Sequence, residues 1–224
     1  MGRIGIKICG IKTVEAGQAA MEAGADALGF VFFAKSPRNI SPENTRRICD
    51  EIGGNITRVG VFVNEPFETL IETVEKAELD FVQIHGNEPL DLIKKLLSRG
   101  IGVIKGVFHS KEPGFDSADS LHVENAKMAF LAECGKGKLP GGNAAVWDFK
   151  AAKELCRKYP TLLAGGLTSE NVAEAILAAL PAAVDVSSGV EASPGVKDLN
   201  KIRVFIREVR AVENRYNPVF HNPF

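Results

Sequence analysis

The chain lacks the features of membrane and secreted proteins. No apolar run approaches the roughly 20 residues of a membrane-spanning helix, and the first residues lack the charged, apolar and small-residue order of a signal peptide. Its cysteines form no C-x-x-C pair, which disfavours a zinc site or a disulfide framework. We therefore expect a cytoplasmic protein with reduced thiols and no membrane partner. The four cysteines are Cys9, Cys49, Cys134 and Cys156.

An excess of charge is also missing. Lys and Arg number 27 against 28 Asp and Glu, which gives a formal net charge of −1. Proteins that bind nucleic acid hold its phosphate backbone with a basic excess. We therefore expect no nucleic-acid partner, whereas a small anionic substrate needs only a local positive site. With 45% hydrophobic and 25% charged residues, the 224-residue chain has the composition of a soluble globular protein.

Short apolar segments alternate with amphipathic helical segments along the whole chain. Alternation of this kind, at spacings of roughly 20 to 33 residues, is typical of βα repeats around a parallel sheet. A single closed (β/α)8 TIM barrel of eight parallel strands fits best. The predicted strands cover residues 4–9, 27–33, 56–63, 79–85, 101–108, 128–133, 161–164 and 182–186.

An open, doubly wound sheet is the alternative architecture. That fold usually carries G-x-G-x-x-G after its first strand, and Gly10-Ile11-Lys12 is not this motif. Residues 109–127 contain turn formers without a helical period, so we expect a short or irregular helix there. We assign residues 1–213 to the barrel and 214–224 to a C-terminal tail. For the tail, the sequence leaves open a frayed end, packing on the barrel bottom or an oligomer contact.

Two turns of small residues follow the last two predicted strands. The first contains Gly165 and Gly166, and the second contains Ser187, Ser188 and Gly189. Small residues let backbone N–H groups approach an anion, and we expect each turn to open a helix whose positive end attracts that anion. In TIM barrels the loops after strands seven and eight often bind phosphate, so the two turns predict one phosphate site. Taken singly, each is also compatible with a plain turn or helix cap.

Two residues at strand ends are candidate catalytic groups, because TIM-barrel active sites lie where the strands end. Cys9 can act as a thiolate, and a neighbouring cation such as Lys7, on the same face of the strand, would lower its pKa. Glu133 ends the sixth strand, where burial would keep it a competent acid near neutral pH. The alternatives are that Cys9 is a small buried apolar residue and that Glu133 forms a salt bridge with a barrel lysine such as Lys105.

Four more residues are candidate substrate contacts. Arg38, after the second strand, can clamp a carboxylate or be solvated. Gln83 and His85 end the fourth strand, where His85 could be an acid, a base or a hydrogen-bonding strand end. Asp185 stands in an apolar strand and is costly to bury unless it binds something, which predicts contacts with substrate hydroxyl or amine groups. We assign no metal ligands and no cofactor.

Seven stretches of the sequence together resemble the phosphoribosylanthranilate isomerases of tryptophan biosynthesis. The resemblance runs from about residue 4 to residue 210, and the ordered set is specific although each motif alone is weak. The stretches are KICGI at 7–11, GADALGFVF at 24–32, SPRNISP at 36–42, RVGVFVN at 58–64, VQIHG at 82–86, AGGL with ENV within 164–172, and VDVSSGVE at 184–191.

The resemblance implies a cofactor-free Amadori rearrangement of N-(5-phosphoribosyl)anthranilate to 1-(2-carboxyphenylamino)-1-deoxyribulose 5-phosphate. It implies that Cys9, as a thiolate, removes the C2 proton, and that a carboxylic acid protonates the ring oxygen. It places Arg38 at the anthranilate carboxylate, Asp185 at the amine and sugar, and the two turns at the phosphate. The expected partner is a phosphoribosyl small molecule, with a monomer or a homodimer left open.

The chain departs from the family pattern at the acid. The family usually has Asp at the end of strand six, where this chain has Glu133 followed by Cys134. Glu133 is the predicted acid if the following loop carries a one-residue insertion, whereas an ungapped count places Cys134 there. The loop at 134–147 also lacks the last glycine and the lysine of the family's Gly-Gly-x-Gly-Lys, which leaves its substrate contacts open.

Two rival functions differ from this one. Another phosphate-binding barrel, such as a ribulose-phosphate epimerase or a thiamine-phosphate synthase, would require metal or diphosphate ligands that we cannot place. An inactive phosphosugar-binding or regulatory paralogue is kept open by the unusual loop after strand six. Turnover of phosphoribosylanthranilate separates an enzyme from such a binder.

Overall fold

Eight parallel strands close into a barrel in the order β1 to β8, with β8 paired to β1. The computed structural model describes residues 3–109, 114–134, 147–216 and 219–224. The predicted TIM barrel is therefore confirmed, with strands that begin or end up to two residues inside their predicted bounds. The strands are β1 Gly5–Cys9, β2 Ala27–Val31, β3 Thr57–Phe62, β4 Phe81–Ile84, β5 Gly102–Phe108, β6 Met128–Glu133, β7 Thr161–Leu163 and β8 Ala183–Val186.

The helices begin and end where the sequence supplies caps. Thr13 caps α1 by accepting a hydrogen bond from the backbone N–H of Ala16, and Gly24 ends it at φ 97°. Ser41 caps α2, with Pro42 at its first position. The helices are α1 Val14–Ala23, α2 Pro42–Ile52, α3 Phe67–Ala77, α4 Leu90–Ser98, α5 Ser117–Leu121, α6 Lys153–Lys158, α7 Val172–Ala179 and α8 Leu199–Val212. Within the described ranges, none combines the length and apolarity needed to cross a membrane.

The crossovers on either side of β6 are irregular. Before β6 the chain forms a 3-10 turn at Gly114–Asp116 and then the five-residue α5, which confirms the short helix expected there. After β6, the glycine-rich loop at 135–146 lies outside the described residues. Asp148 then caps a 3-10 turn that leads into α6, by accepting a hydrogen bond from the N–H of Lys150 at 3.1 Å.

The turn after β8 does not open the expected helix. Ser188–Val190 forms a single 3-10 turn, and a small antiparallel hairpin of β9 (Glu191–Ser193) and β10 (Val196–Lys197) follows before α8. The reason is local, because Pro194-Gly195 forces a turn in which Gly195 adopts φ 81°. The second turn is therefore followed directly by a 3-10 turn and the hairpin, and α8 begins only at Leu199.

The C-terminal tail packs on the end of the barrel where the strands begin. The ring of Phe224 meets Phe81 edge-on with centroids 6.0 Å apart, and the hydroxyl of Tyr216 donates to the carbonyl of Pro181 at 2.6 Å. Of the three roles left open for the tail, its described residues show packing on the barrel bottom. The interior layer above it consists of Ala27, Val59, Phe81, Ile104, Ala129, Leu131, Leu162, Ala164 and Ala183.

Strand register brings distant polar residues to the same level. Lys7 stands beside Asp185 in the β1–β8 pairing, and Cys9 stands beside Gly29 in the β1–β2 pairing. A Cβ atom at Gly29 would lie 2.8 Å from the sulfur of Cys9. Glycine at this position therefore leaves room for the thiol.

Candidate active site

A cavity at the carboxyl ends of the strands contains almost every predicted site residue. Gly189 is the exception, since it is not part of the cavity wall, and a Cβ atom there would come 1.9 Å from the carbonyl oxygen of Leu167. It therefore sets the spacing between the two turns. The predicted residues that line the cavity are Cys9, Arg38, Gln83, His85, Glu133, Gly165, Gly166, Asp185, Ser187 and Ser188. Apolar side chains, including Val31, Phe33, Val61, Val63, Leu167 and Val186, complete the wall.

The thiol of Cys9 belongs to a buried charged cluster on β1 and β8. The ammonium of Lys7 is fully buried and donates to Oδ1 of Asp185 at 2.7 Å. Lys7 and Cys9 lie two residues apart on β1, so their side chains are on the same face of the strand. This confirms Lys7 as the cation next to the thiol. The ion pair explains how an apolar strand accommodates the carboxylate of Asp185.

Burial raises the pKa of the Cys9 thiol overall, although Lys7 lowers it in the way expected of a neighbouring cation. Burial is the largest cause, and the charge of Asp185 adds to it, while Lys7 and Lys197 act in the opposite direction. A thiolate loses its hydration inside the cavity wall, and the nearest cation is already paired with a carboxylate. In the unliganded protein, the thiolate form of Cys9 is therefore disfavoured relative to that of a free cysteine.

Glu133 forms a hydrogen-bonded pair with His85. Its Oε2 lies 3.0 Å from Nε2 of His85, and Nδ1 of the same ring lies 3.3 Å from the amide nitrogen of Gln83. The alternative partner, Lys105, instead donates to Oε2 of Glu88 at 2.9 Å. Glu133, His85 and Gln83 are all buried, so the imidazole serves as the immediate neighbour of the candidate acid.

Glu133 and Cys134, the two candidates for the acid, differ in their access to the cavity. Glu133 lines it, whereas Cys134 is buried beside it and is not part of the wall. The last residue of β6 is therefore the one whose side chain can meet a ligand.

Arg38 is buried and not solvated. Its Nε and Nη2 donate to the two carboxylate oxygens of Glu191 at 2.7 and 2.8 Å. Lys197 donates to the same carboxylate at 2.9 Å and to the carbonyl of Ser187 at 2.9 Å. The hydroxyl of Ser187 in turn donates to the carbonyl of Cys9 at 3.0 Å. Burial alone would raise the pKa of Glu191, but Arg38 and Lys197 hold it below its ordinary value.

The turn after β7 is shaped by two glycines and a bracing amide. Gly165 and Gly166 adopt φ values of 83° and 69°, which other residues rarely tolerate. The side chain of Asn171 accepts from the N–H of Thr168 at 2.8 Å and donates to the carbonyl of Gly166 at 2.9 Å. The turn is thus held in one conformation, with its backbone on the cavity wall.

Three residues of this region have roles that the sequence alone does not predict. Glu191 and Lys197 hold Arg38, and the indole N–H of Trp147 donates to the carbonyl of Ala164 at 3.0 Å, at the start of the first turn. Pro194-Gly195 lies between Glu191 and Lys197, and Pro-Gly is a turn signal typical of hairpins. This pattern could have indicated that the two charged residues face each other. In the part of the chain that the structure describes, no group of three or more His, Cys, Asp or Glu residues could hold a metal ion.

Comparisons with known proteins identify the family. The model of the family described as N-(5'-phosphoribosyl)anthranilate (PRA) isomerase matches residues 6–208. The N-(5'-phosphoribosyl)anthranilate isomerase of Desulfatibacillum aliphaticivorans is 42% identical over 213 residues, which are 95% of this chain and 96% of the relative.

Two solved structures are similar over almost their whole length. A phosphoribosylanthranilate isomerase in complex with reduced 1-(o-carboxyphenylamino)-1-deoxyribulose 5-phosphate superposes with a TM-score of 0.81 at 39% identity, covering 93% of this chain and 99% of that one. Monomers derived from the dimeric Thermotoga maritima enzyme give a TM-score of 0.81 at 38% identity, with the same coverage. The chain therefore belongs to the N-(5'-phosphoribosyl)anthranilate isomerase family, and is an isomerase of tryptophan biosynthesis.

Proposed function

We propose that Cys9 and Glu133 are the base and the acid of an Amadori rearrangement. The reaction converts N-(5'-phosphoribosyl)anthranilate to 1-(2-carboxyphenylamino)-1-deoxyribulose 5-phosphate. One observation carries this assignment, namely that a thiol on β1 and a carboxyl on β6 line one cavity, together with the two turns after β7 and β8. An acid and a base on different strands can act on different atoms of a sugar that is anchored by its phosphate.

The steps follow from the chemistry of the two groups. Glu133 protonates the ring oxygen, so the C1–O bond breaks and the anthranilate nitrogen forms a C1=N iminium. The Cys9 thiolate then takes the C2 proton, the electron pair of that C–H bond forms a C1=C2 double bond, and the C1=N π pair returns to the nitrogen, which gives an enaminol. C1 then gains a proton and the C2 hydroxyl loses one, which gives the ketone at C2 with no redox partner. Lys7 favours the thiolate by its charge, and His85 orients the carboxyl of Glu133.

The remaining wall residues bind the substrate. Arg38 takes the anthranilate carboxylate, Asp185 contacts the amine and sugar hydroxyls through the oxygen that Lys7 leaves unused, and Gln83 with His85 contacts the sugar from β4. The phosphate is held mainly by backbone N–H groups of the two turns. Those turns contain Gly165, Gly166, Ser187, Ser188 and Gly189.

Turnover of single variants tests the assignment. We expect Cys9→Ala and Glu133→Gln to lower kcat by about 10² to 10⁴, measured as the loss of phosphoribosylanthranilate fluorescence. Cys49→Ala removes a different buried thiol and should leave kcat near that of the wild type. Near-wild-type turnover of either active-site variant contradicts the assignment, and ligand binding without turnover by the wild type indicates an inactive binder.

A second control separates the two candidates for the acid. We expect Cys134→Ala to keep most of the turnover, because Cys134 does not line the cavity. Should Cys134→Ala be inactive while Glu133→Gln is active, the acid is one residue further along. Circular dichroism of each variant shows whether the fold persists.

We further propose that the protein works in the cytoplasm, as a monomer or a homodimer, with residues 1–213 as the catalytic barrel and 214–224 as its tail. All four cysteines are free, which suits a reducing compartment. Sedimentation velocity at several protein concentrations measures the oligomeric state directly.

A further inference from the structure

Arg38, Glu191 and Lys197 form a compact ion cluster at one side of the cavity. Arg38 is 6% exposed and Glu191 is 7% exposed, and the side chain of Lys197 is 2% exposed. Burying an ion is costly unless it is paired. When all three groups are ionised, one carboxylate between two cations leaves one positive charge in excess, which favours an anion at this side of the cavity.

The bonding pattern of the guanidinium restricts where that anion can sit. Glu191 occupies the edge formed by Nε and Nη2, with both hydrogen bonds shorter than 2.9 Å. Because the guanidinium is a planar fork, its remaining N–H groups belong to Nη1 and to the outer side of Nη2. Among the described residues, Nη1 has no hydrogen-bond partner, and Arg38 lines the cavity.

The stem of Arg38 and the residue before it are closely packed. A Cβ atom at Gly10 would lie 2.8 Å from Cδ of Arg38, and a Cβ atom at Gly195 would lie 2.4 Å from the carbonyl of Pro37. Close packing of this kind leaves the side chain few alternative rotamers. The direction of the guanidinium is therefore set by Glu191 at one end and by the loop packing at the other.

We propose that Glu191 is a positioning residue that directs the free edge of Arg38 towards the carboxylate of the aromatic amine. The proposal rests on the proposed function, since it assumes that Arg38 binds this carboxylate. A neutral or mobile partner would let the guanidinium rotate, so part of the binding free energy would be spent on ordering it.

Lys197 has a broader role than Glu191. It holds Glu191 and also the carbonyl and hydroxyl of Ser187, in the turn assigned to phosphate. Loss of Lys197 should therefore weaken every ligand that carries the phosphate. Loss of the Glu191 charge should weaken only ligands that carry the carboxylate.

Two inert ligands distinguish these effects. The first is reduced 1-(o-carboxyphenylamino)-1-deoxyribulose 5-phosphate, and the second is the same compound with a phenyl group in place of the carboxyphenyl group. We expect Glu191→Gln to weaken binding of the first about tenfold and of the second less than about threefold, by calorimetric titration. We expect Lys197→Met to weaken both ligands to a similar degree.

A double-mutant cycle shows whether Glu191 acts through Arg38. In an Arg38→Ala background, Glu191→Gln should cause no further loss for either ligand, because the group that it positions is absent. If Glu191→Gln does not fold, Glu191→Asp can be used instead, because it keeps the negative charge but moves it away from Arg38 by one methylene. Glu191→Asp should weaken binding of the carboxylated ligand more than that of the phenyl ligand, by a smaller factor than Glu191→Gln.

Three results overturn the proposal: equal loss for both ligands, no loss for either, or a full Glu191→Gln effect without Arg38. Failure of the wild type to bind the carboxylated ligand would instead refute the proposed function, so the two failures are distinguishable.

Discussion

Replacing Lys7 by Met tests the electrostatic account of the base. Lys7 is fully buried, carries the cation nearest to the Cys9 thiol, and is paired with Asp185 at 2.7 Å. Removing a positive charge disfavours the thiolate, so the pKa of Cys9 must rise. Two unit charges about 4 Å apart interact by roughly 4 kcal/mol at an effective dielectric constant of about 20, so the loss of a neighbouring cation is a large perturbation. The pairing of Lys7 with Asp185 offsets part of this, and we expect the rate of Cys9 alkylation at a fixed pH to fall about tenfold or more.

The rate of Cys9 alkylation as a function of pH measures the shift. Iodoacetamide reacts with the thiolate, and peptide mass spectrometry assigns the modified cysteine. Two other thiols serve as internal references, since burial raises the pKa of Cys49 to about 11 and that of Cys156 to about 12. We expect the inflection for Cys9 to move to higher pH in the variant, and turnover at neutral pH to fall with it.

Replacing Asp185 should shift the pKa of Cys9 in the opposite direction. Its charge raises the pKa of Cys9, so Asp185→Asn should move the alkylation inflection to lower pH. Lys7→Met leaves a carboxylate without its partner and should lower stability by about 3 to 5 kcal/mol, which the double variant Lys7→Met, Asp185→Asn should largely restore. An inflection that is unchanged or lower in Lys7→Met would refute the reasoning, provided that the variant is folded.

Further predictions concern the phosphate turns and a buried ion pair. Gly189→Ala places a methyl group against the backbone of Leu167, so we expect weaker binding of inorganic phosphate and of substrate, with kcat less affected than KM. Glu88→Gln leaves Lys105 buried without its counter-charge, so the free energy of unfolding at pH 7 should fall by about 3 to 5 kcal/mol in urea titrations. Burial raises the pKa of Glu88, but the charge of Lys105 and backbone hydrogen bonds lower it by more. The pKa of Glu88 in the folded protein is therefore below its ordinary value. Glu88 therefore contributes its full stabilisation above its ordinary pKa near about 4.3, and this stabilisation is lost as the pH falls through the lowered pKa of the folded protein. The difference in unfolding free energy between wild type and Glu88→Gln should therefore shrink below about pH 4. If the difference in unfolding free energy stays constant between about pH 7 and about pH 3, Glu88 does not stabilise the fold as a carboxylate paired with Lys105.

Local patterns were sufficient for the architecture, because each strand and helix is written in a few consecutive residues. Continuous apolar runs marked the strands, and cap residues such as Thr13 and Ser41 marked helix starts. The parallel arrangement then placed residues at strand ends on one face, which is why Cys9 and Glu133 could be assigned to one cavity from their positions alone. The second turn was less predictable, since a 3-10 turn and a hairpin separate it from the expected helix, α8.

By itself, the sequence determined the barrel, the family and the identity of most cavity residues. Only the tertiary structure decided their partners, because those lie far apart along the chain: Lys7 and Asp185 are separated by 178 positions, and Arg38 and Glu191 by 153. The same holds for the pKa of the Cys9 thiol. It is the balance between lost hydration and the surrounding charges, and neither quantity exists until the strands have closed around the residue.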